Sequence, residues 1–496
     1  MISQTKPRAK AAKAQQVPNV IAGKCVQSRS PRSLAKTNPS TGEVIAQVPL
    51  STAAELAAAL PAAQAAQRQW AMVPVKDRVQ VLYKFKRLLE DDLGRLAGLI
   101  NRENGKTVPE ARASIARGVE CVEYAASLPM IGNGQVLEVG RGVECKMLRF
   151  PLGVVAGITP FNFPLMVPLW MAPLALACGN AFILKPSEQA PLSAVEMAKL
   201  FQAAGLPDGL FSVLHGGRDL VEAICDHPDV KAVGFVGSTP VAKAVYSRAS
   251  AAGKRVRALG GAKNHLVLVP DADPDMAAQN IVDSVTGCCG QRCMAASVLL
   301  AIGEVDHVIA KIQARMAALV PGRDLGPLIT SASRDKIAGY LARAEKKGAR
   351  LLLDGRKAKS MGAKGGYFLG ASIIDRATAA HEAACDEIFG PVLTIIRCKT
   401  LDEALAIENA NPFGNAAAIY TGSGRAAQQF VARAAAGMVG VNIGVPVPRE
   451  PFPFGGWHDS RFGDGDLTGA AAIDFWSASK KVTTKWETPA AANWMS

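Results

Sequence analysis

The sequence predicts an α/β fold with at least two units. Between residues 153 and 258, apolar β-rich runs alternate with helical stretches, and a second alternation occupies 262–445. This order is typical of a parallel sheet whose connecting helices cover both faces. Because 496 residues are too many for one simple core, we expect two or three units, with room for a cofactor and a substrate.

The first alternation has the outline of a nucleotide-binding unit. Strands are predicted at 153–158, 181–185, 211–215 and 231–236. Helices are predicted near 164–178, 192–204 and 218–225, and another from 240. Ligands of such sheets bind beyond the carboxyl ends of the strands. The usual GxGxxG fingerprint is absent from this region, so a dinucleotide requires another phosphate-binding device.

The Gly-Ser-Thr-Pro turn at 237–240 is the candidate for that device. Proline suits the first turn of a helix, Ser238 can cap it, and the free amides with the helix dipole attract a phosphate. Serine and threonine caps also begin many helices that bind nothing. Taken alone, the turn leaves both interpretations open.

The flanking segments predict a helical layer and two exposed strands. Residues 51–130 carry charges at helical spacing, whereas 135–150 predict a β-hairpin with a Gly-Arg-Gly turn. Residues 480–486 alternate with period two, which predicts an edge strand. Unpaired edges need partners, so we expect strand exchange between subunits and a homo-oligomer, either a dimer or a tetramer.

Composition limits the class of protein. Apolar residues make up 49% and charged residues 20%, and no apolar run is long enough to span a bilayer, so we expect no membrane partner. The ten cysteines show no paired framework and no metal-site spacing, which predicts a reducing compartment without disulfides or a metal. The net charge of +14 is not gathered into a nucleic-acid motif, and a basic surface also attracts anionic substrates and cofactors.

The N-terminus is basic. The first 42 residues contain eight Lys or Arg and no acid, which favours a flexible basic tail. We expect this tail to comprise residues 1–18. A mitochondrial-type presequence is the alternative, although serines and large apolar residues are few. The corresponding localisations are the cytoplasm and, as the alternative, the mitochondrial matrix.

Cys293 is the candidate nucleophile. It lies in the segment Gly-Gln-Arg-Cys at 290–293, directly after Arg292. Only the thiolate attacks, and a neighbouring guanidinium in a glycine-containing turn is expected to lower the thiol pKa. The alternative is a buried structural thiol, which is how most free cysteines are used.

Four further segments turn these observations into a family resemblance. They are TPFNFP at 159–164, KPSE at 185–188, LGGAKNH at 259–265 and EIFGPV at 387–392. With GQRC and the 237–240 turn, in this order and spacing, they resemble the aldehyde dehydrogenase superfamily over nearly the whole chain. PFNFP, GAKNH, GQRCMA and the VPVP segment at 445–448 are most similar to the CoA-acylating methylmalonate-semialdehyde dehydrogenases.

The resemblance implies an aldehyde dehydrogenase-like fold, with a Rossmann-like NAD domain, an α/β catalytic domain and a small β oligomerisation element. The implied boundaries are 19–134 and 151–261 for the NAD-binding domain, 262–445 for the catalytic domain, and 135–150 and 474–496 for the oligomerisation element. Residues 446–473 are expected to return to the NAD-domain side.

The resemblance also implies roles for individual residues. Cys293 supplies the thiolate, and Asn162 donates its side-chain amide to the oxyanion beside the backbone N–H of Cys293. Lys185 and Glu188 hold the adenosine ribose, and a carboxylate there favours NAD over NADP. Further cofactor contacts are expected from Thr159, Phe161, Gln189, Ser238, Gly260, Glu387 and Phe389.

One departure concerns the acyl acceptor. Hydrolytic aldehyde dehydrogenases carry a glutamate before the Leu-Gly-Gly unit, and here that residue is Ala258. Alanine cannot act as a general base, so water is expected to cleave the acyl-enzyme slowly. A persistent thioester favours capture by the thiol of coenzyme A as co-substrate.

Substrate charge is the second feature of the subfamily. A semialdehyde with a carboxylate needs a cationic clamp, for which guanidinium is well suited. The resemblance assigns this role to Arg292 and Arg117, and an apolar wall to Phe454. Spacing alone favours the alternative that Arg117 pairs with Glu120 on a helix surface.

The expected activity is NAD-dependent oxidation and decarboxylation of a semialdehyde, with transfer of the acyl group to CoA. Methylmalonate and malonate semialdehyde differ by one methyl group, worth only about 1–3 kcal/mol in a pocket, so both stay open. The alternatives are a hydrolytic aldehyde dehydrogenase of broad range and a non-enzymatic protein that kept the fold.

Overall fold

The computed structural model describes residues 15–132 and 134–486. The helices are α1 Ala53–Met72, α2 Val75–Asp91, α3 Leu93–Asn104, α4 Val108–Ala126, α5 Leu128–Ile131, α6 Met166–Ala177, α7 Leu192–Ala203, α8 Arg218–Asp226, α9 Thr239–Ala251, α10 Pro274–Thr286, α11 Asp306–Ala318, α12 Ser331–Lys346, α13 Glu382–Cys385, α14 Leu401–Asn409, α15 Gly424–Arg433 and α16 Gly469–Phe475.

The strands alternate with these helices along most of the chain. They are β1 Asn19–Ile21, β2 Lys24–Val26, β3 Ser33–Thr37, β4 Val44–Pro49, β5 Gln135–Gly140, β6 Val143–Pro151, β7 Val154–Ile158, β8 Ala181–Lys185, β9 Phe211–Val213, β10 Val230–Val236, β11 Arg255–Leu259, β12 Asn264–Leu268, β13 Ala296–Ile302, β14 Arg350–Leu353, β15 Ser372–Asp375, β16 Val392–Cys398, β17 Phe413–Gly414, β18 Ala416–Tyr420, β19 Met438–Val441, β20 Trp457–His458, β21 Arg461–Phe462 and β22 Ser477–Lys485.

The first large sheet has the order β2-β1-β9-β8-β7-β10-β11-β21. Its five central strands, β9 to β11, are parallel, and β7 pairs with both β8 and β10. The chain therefore winds outward in both directions from β7, which creates a topological switch point between β7 and β10. All five residues of β8 are buried, as expected for a central strand covered on both faces.

The second large sheet has the order β14-β15-β16-β13-β12-β18-β19. All its pairings are parallel except that of β14 with β15. Cys293 lies in the connection between the adjacent strands β12 and β13, three residues before β13 begins. The short strand β21 pairs with β11, so the chain after residue 446 returns to the first sheet.

The hairpin predicted at 135–150 is confirmed as β5 and β6, which are antiparallel. The predicted C-terminal edge strand is also present, as β22. However, β22 pairs with β6 of the same chain over nine residue pairs. This pairing leaves β22 and β5 as the outer strands of the sheet β22-β6-β5, so each keeps one unpaired edge in the described chain, and the expected contact with another subunit stays a prediction.

The predicted N-terminal tail is wrong where the structure describes it. Val17 is buried, and its N–H donates to the carbonyl of Gln47 at 2.8 Å. Residues 19–21 and 24–26 then form β1 and β2 at the edge of the first sheet. Although this segment is basic, burial of apolar side chains such as Val17 and Val20 stabilises its packing against the rest of the protein. Residues 1–14 of the predicted tail lie outside the described residues.

The helical layer predicted at 51–130 is confirmed as α1 to α5. Its α4 begins with a capping box, in which Thr107 and Glu110 bond each other's backbone N–H groups. Gly118 on α4 lets the helix approach α6 closely, because a Cβ there would lie 2.7 Å from Leu169. In the parts of the chain that the structure describes, no helix has both the length and the apolarity needed to cross a membrane.

Candidate active site

A cleft of about 1170 Å³ joins the two large sheets. The carboxyl ends of β7, β8 and β10 contribute one side, and the loop before β13 contributes the other. Ten of the predicted site residues line it: Thr159, Phe161, Asn162, Lys185, Glu188, Ser238, Gly260, Cys293, Glu387 and Phe389. The topological switch point thus brings together residues as far apart in sequence as Thr159 and Phe389.

Two asparagines hold the backbone of Cys293. The carbonyl of Cys293 accepts hydrogen bonds from Asn264 Nδ2 at 2.7 Å and from Asn415 Nδ2 at 3.0 Å. Asn264 is the first residue of β12, and Asn415 directly precedes β18. Because β12 is the strand between β13 and β18, the sheet itself fixes the position of the Cys293 backbone at the cleft. Sequence reasoning missed Asn415, which stands in no recognised motif.

The thiol of Cys293 is protonated at neutral pH in this state. Its pKa is raised to about 12, mainly by burial and next by the negative charge of Glu387. The backbone N–H groups of Cys293 and Met294 and the charge of Arg292 act in the opposite direction. The expectation that Arg292 would leave a low pKa is therefore wrong, because desolvation outweighs the guanidinium.

Asn162 lies against the same loop. It is 4% exposed, and its Nδ2 donates to the carbonyl of Gln291 at 3.1 Å. The side chain of Gln291 is fixed in turn, because its Oε1 accepts from Ile329 N–H at 3.0 Å. A primary amide has two N–H donors, so Asn162 can keep this contact and still donate to a second oxygen near Cys293.

Lys185 and Glu188 form an ion pair inside the cleft. Lys185 is only 5% exposed, so the pair is not the solvated surface pair that would contribute little. Gln189 is different from its neighbours, since it does not line the cleft and its N–H bonds Ser187 Oγ at 3.2 Å. Its predicted cofactor contact stays a prediction.

The N-terminus of α9 opens into the cleft. Ser238 occupies the N-cap position, yet within the described chain its side chain makes no capping hydrogen bond to the helix. Thr239 Oγ1 instead accepts from Gly261 N–H at 2.8 Å and so ties the helix start to the loop after β11. The first amides of α9 are left without an internal acceptor, which is the arrangement that binds a phosphate.

Glu387 and the glycines opposite it form a close-fitting corner. Glu387 Oε1 accepts from Ala262 N–H at 3.1 Å, and a Cβ on Gly261 would lie 2.5 Å from Oε2. Burial raises the pKa of Glu387 to about 7, so the carboxyl group titrates near neutrality. Phe389, with φ of +58°, packs its ring edge-on to Phe161 with centroids 5.8 Å apart.

The three predicted substrate residues do not line the cleft itself. Phe454 is buried behind Trp170, with ring centroids 4.6 Å apart, and Trp170 is the residue that reaches the cleft. Sequence reasoning missed Trp170, because an aromatic in an all-apolar helix looks like core. Arg292 bonds Cys288, and Arg117 bonds Glu450.

Carboxylates are few around the nucleophile. Ala258 is fully buried in β11, and Gly260 and Gly261, which follow it into the cleft, have no side chains. Among the described residues, the carboxylates that line the cleft are Glu188, Glu222 and Glu387. The position where hydrolytic enzymes place their base therefore presents no proton acceptor.

The fold and the cleft define a class of protein. Comparison with known sequences identifies that class. The sequence model of the aldehyde dehydrogenase family matches residues 25–482, and the chain belongs to this family. It is 46% identical over 480 residues to malonate-semialdehyde dehydrogenase 2 of Geobacillus kaustophilus, covering 95% of this chain and 99% of that protein. It is 44% identical over 476 residues to the malonate-semialdehyde dehydrogenase of Halalkalibacterium halodurans, covering 94% and 98%.

Solved structures show the same likeness. A putative methylmalonate-semialdehyde dehydrogenase from Sinorhizobium meliloti, complexed with NAD, superimposes with a TM-score of 0.95 at 41% identity, covering 97% of this chain and 100% of that one. The methylmalonate-semialdehyde dehydrogenase of Oceanimonas doudoroffii gives a TM-score of 0.94 at 42% identity, with 96% and 99% covered. The aldehyde dehydrogenase fold predicted from the motifs is confirmed.

Proposed function

We propose that this enzyme oxidises and decarboxylates malonate semialdehyde, methylmalonate semialdehyde or both, and transfers the acyl group to CoA. The observation that carries the proposal is the cleft, in which Cys293 and Asn162 meet a nucleotide-type binding wall while position 258 lacks a base. The names of its relatives support the two semialdehydes over a broad-range substrate.

NAD fits the residues of the cleft. The N-terminus of α9 and Ser238 would hold the pyrophosphate, and Lys185 and Glu188 would hold the adenosine ribose. Gly260 lines the cleft, and its lack of a Cβ lets the backbone of Asp459 approach closely, because a Cβ there would lie 2.6 Å from the carbonyl of Asp459. When bound, NAD supplies a hydride acceptor.

The residues of the chain account for the other steps. Cys293 adds to the aldehyde carbon as a thiolate, and Asn162 and the Cys293 N–H donate to the resulting oxyanion. Loss of hydride leaves an acyl thioester on Cys293, whose β-carboxylate departs as CO₂ with a proton replacing it on carbon. The CoA thiol then attacks the thioester and releases the Cys293 thiol. Water competes poorly with CoA, since residue 258 is alanine and supplies no carboxylate to act as a general base.

We further propose that the enzyme is a cytoplasmic homo-oligomer. Support for assembly comes from β5, whose Val136, Leu137 and Val139 are more than half exposed. The mitochondrial alternative depends on residues 1–14, which lie outside the described residues.

A product assay tests the proposal. Purified enzyme is given each semialdehyde with NAD, with and without CoA, and NADH and acyl-CoA are measured. We expect sustained NADH formation only with CoA, with acetyl-CoA or propionyl-CoA formed in equal amount. Cys293→Ala should abolish NADH formation, whereas the neighbouring Cys289→Ala should not. Equally fast turnover without CoA would identify a hydrolytic aldehyde dehydrogenase instead.

A further inference from the structure

Buried polar residues follow one another where α3 ends. Glu103 is fully buried, and Asn104 and Lys106 are each 3% exposed. Gly105 between them ends the helix in a left-handed conformation, with φ of +88°. Glutamate and lysine are almost never fully buried unless they have partners. The contacts of this segment, the α3 terminus (residues 103–106), therefore indicate what it does.

Asn104 and Lys106 hold the two neighbours of Asn162. Asn104 Nδ2 donates to the carbonyl of Phe161 at 2.8 Å. Lys106 Nζ lies 4.2 Å from the centre of the Phe163 ring, which is a cation–π contact. Asn162 itself lies in the loop between β7 and α6, outside both elements. Its backbone position therefore depends on contacts with other parts of the chain, and the α3 terminus supplies one on each side.

The α3 terminus also contacts the segment that faces Asn162 from the opposite side. Asn162 donates to the carbonyl of Gln291, and Gln291 Nε2 donates to the carbonyl of Pro327 at 3.3 Å. A Cβ on Gly326 would lie 2.1 Å from the carbonyl oxygen of Gly105, so these two backbones are in direct contact. The candidate oxyanion donor is thus enclosed by two segments that both contact the α3 terminus.

Glu103 reaches the cofactor side of the cleft. Its Oε2 accepts from the N–H of Leu192 at 2.7 Å. Its Oε1 accepts from the N–H of Ser193 at 3.0 Å and from the Ser193 hydroxyl. These residues begin α7, and the N-cap position of α7 is Pro191, whose side chain has no polar atom to cap it. Glu103 therefore supplies the cap of α7 from another helix.

This cap fixes one end of the loop that carries Glu188. The loop, residues 186–191, begins after Lys185 at the end of β8 and ends where α7 starts. Lys185 is fixed by the central strand to which it belongs, whereas Glu188 lies within the loop. By holding the first N–H groups of α7, Glu103 limits where the loop can place Glu188.

We propose that the α3 terminus positions two parts of the active site separately: Asn104 and Lys106 fix the oxyanion donor Asn162, and Glu103 fixes the loop that presents Glu188 to the adenosine ribose. The proposal rests on the proposed function, because it takes Asn162 as the oxyanion donor and NAD as the cofactor. Glu103, Asn104 and Lys106 do not line the cleft, so they are positioning residues that act through Asn162 and Glu188.

Two measurements distinguish the two parts. The rate of the first NADH burst, followed by stopped flow with saturating NAD and malonate semialdehyde and without CoA, reports formation of the acyl-enzyme. The Kd for NAD, measured by calorimetry without aldehyde, reports cofactor binding alone. Urea midpoints confirm that each variant is folded.

Asn104→Leu should change the burst rate. We expect the burst rate to fall about tenfold or more, because a displaced oxyanion donor stabilises the transition state poorly, with the Kd for NAD within about twofold of the wild type. In an Asn162→Ala background, Asn104→Leu should cause no further loss, because the side chain that it positions is then absent.

Lys106 tests the same contact from the other side of Asn162 and serves even where Asn104→Leu fails to fold. Lys106→Met should lower the burst rate about threefold or more, since the cation over the Phe163 ring is lost. Lys106→Arg keeps a cation and should retain most of the wild-type rate. The loss caused by Lys106→Met should also disappear in the Asn162→Ala background.

Glu103→Gln should change the Kd for NAD. The amide nitrogen of glutamine cannot accept a hydrogen bond, so at least one N–H at the start of α7 loses its acceptor. We expect the Kd to rise about tenfold, with the burst rate at saturating NAD within about threefold of the wild type. Arg102→Ala changes the preceding, exposed residue of α3 and is the matched control that should alter neither quantity.

Two results would overturn the proposal. One is that the losses of burst rate from Asn104→Leu and Asn162→Ala multiply in the double variant. The other is that Asn104→Leu and Glu103→Gln change the burst rate and the Kd in the same proportions, which would indicate a general loss of structure at the α3 terminus. A wild-type enzyme that gives no NADH burst with either semialdehyde contradicts the proposed function itself. A wild-type burst that Asn104→Leu and Lys106→Met leave intact contradicts only the positioning of Asn162.

Discussion

Cys293 and Glu387 lie in one cleft and oppose each other electrostatically. Burial and, after it, the negative charge of the carboxylate raise the pKa of the thiol to about 12. Only a thiolate attacks, so a Cys293 thiol with this pKa is mostly in the unreactive protonated form at neutral pH. A protonated thiol is alkylated and oxidised slowly.

Replacing Glu387 should therefore make the free enzyme more reactive. We expect Glu387→Gln to speed alkylation of Cys293 by iodoacetamide several-fold at pH 8, because removing the negative charge lowers the thiol pKa and raises the thiolate fraction. The pKa of Glu387 is about 7, so its carboxyl group is mostly protonated and uncharged at pH 6. The difference between wild type and variant should shrink there.

The measurement is the rate of alkylation, followed by mass spectrometry between pH 6 and 9 without cofactor. Glu222→Gln is the matched control, because Glu222 lines the same cleft without contributing to the Cys293 pKa. Equal rates for wild type and Glu387→Gln at pH 8 would contradict the electrostatic assignment.

At the scale of elements, the catalytic loop is an unusual turn. Cys288, Cys289 and Gly290 all have left-handed backbone conformations, with φ of +52°, +54° and +70°. Gly290 meets the loop that carries Glu387 and Phe389, because a Cβ at residue 290 would lie 2.1 Å from the carbonyl of Gly390. The nucleophile loop and the cofactor loop are thus in direct backbone contact.

A methyl group at this contact should separate the two loops. We expect Gly290→Ala to lower kcat strongly and to destabilise the protein by about 1–3 kcal/mol beyond the cost of the left-handed conformation. Gly142→Ala is the matched control, since Gly142 has nearly the same φ of +69° and nothing within 4 Å of its Cβ position. Gly142→Ala should cost only the left-handed penalty of about 1–2 kcal/mol.

Urea midpoints and kcat report the two effects separately. Similar losses of unfolding free energy for Gly290→Ala and Gly142→Ala would contradict the prediction. They would show that the left-handed backbone conformation, and not the contact with Gly390, accounts for the need for glycine at residue 290.

At the scale of the whole molecule, the sheet β22-β6-β5 has strands that are largely exposed to solvent in the described chain. Its β5 exposes Leu137 at 67% and Val139 at 55%, which point to the same face of the strand. Exposed apolar residues that share a face favour a subunit contact. The assembly prediction therefore depends on this face together with the outer edges of β5 and β22, which have no partner strand in the described chain.

Charges on this face should prevent assembly. We expect Leu137→Glu/Val139→Glu to shift the enzyme toward monomers in sedimentation velocity, because burying two carboxylates in an interface is costly. Met72→Glu changes an apolar residue that is 82% exposed on α1 and should leave the assembly intact. An unchanged sedimentation coefficient in the double variant would place the interface elsewhere.

The elements were predictable where local patterns match their surroundings. The predicted strand at 181–185 has the observed bounds, because a short apolar run in the centre of a covered sheet is buried on both faces. Ser238 is at the predicted helix start, since proline at 240 and a polar cap are local signals. The pairing of β22 with β6 was not predictable, because period-two alternation indicates that a strand exists but not which strand it pairs with.

The amino-acid sequence by itself predicted the class of fold, which the comparisons confirm, and it shows alanine at position 258. Through the family resemblance it also predicted Cys293 as the nucleophile and Asn162 as the oxyanion donor. Each motif behind these predictions is a short run of residues that can be recognised without knowing the fold. The tertiary structure alone decided the state of the thiol and the bonding of the two arginines. Arg117 meets Glu450, 333 residues away, and Asn415 meets Cys293, 122 residues away. Burial and long-range pairing arise only when distant segments pack, so the packing sets the pKa of Cys293 and pairs Arg117 with Glu450.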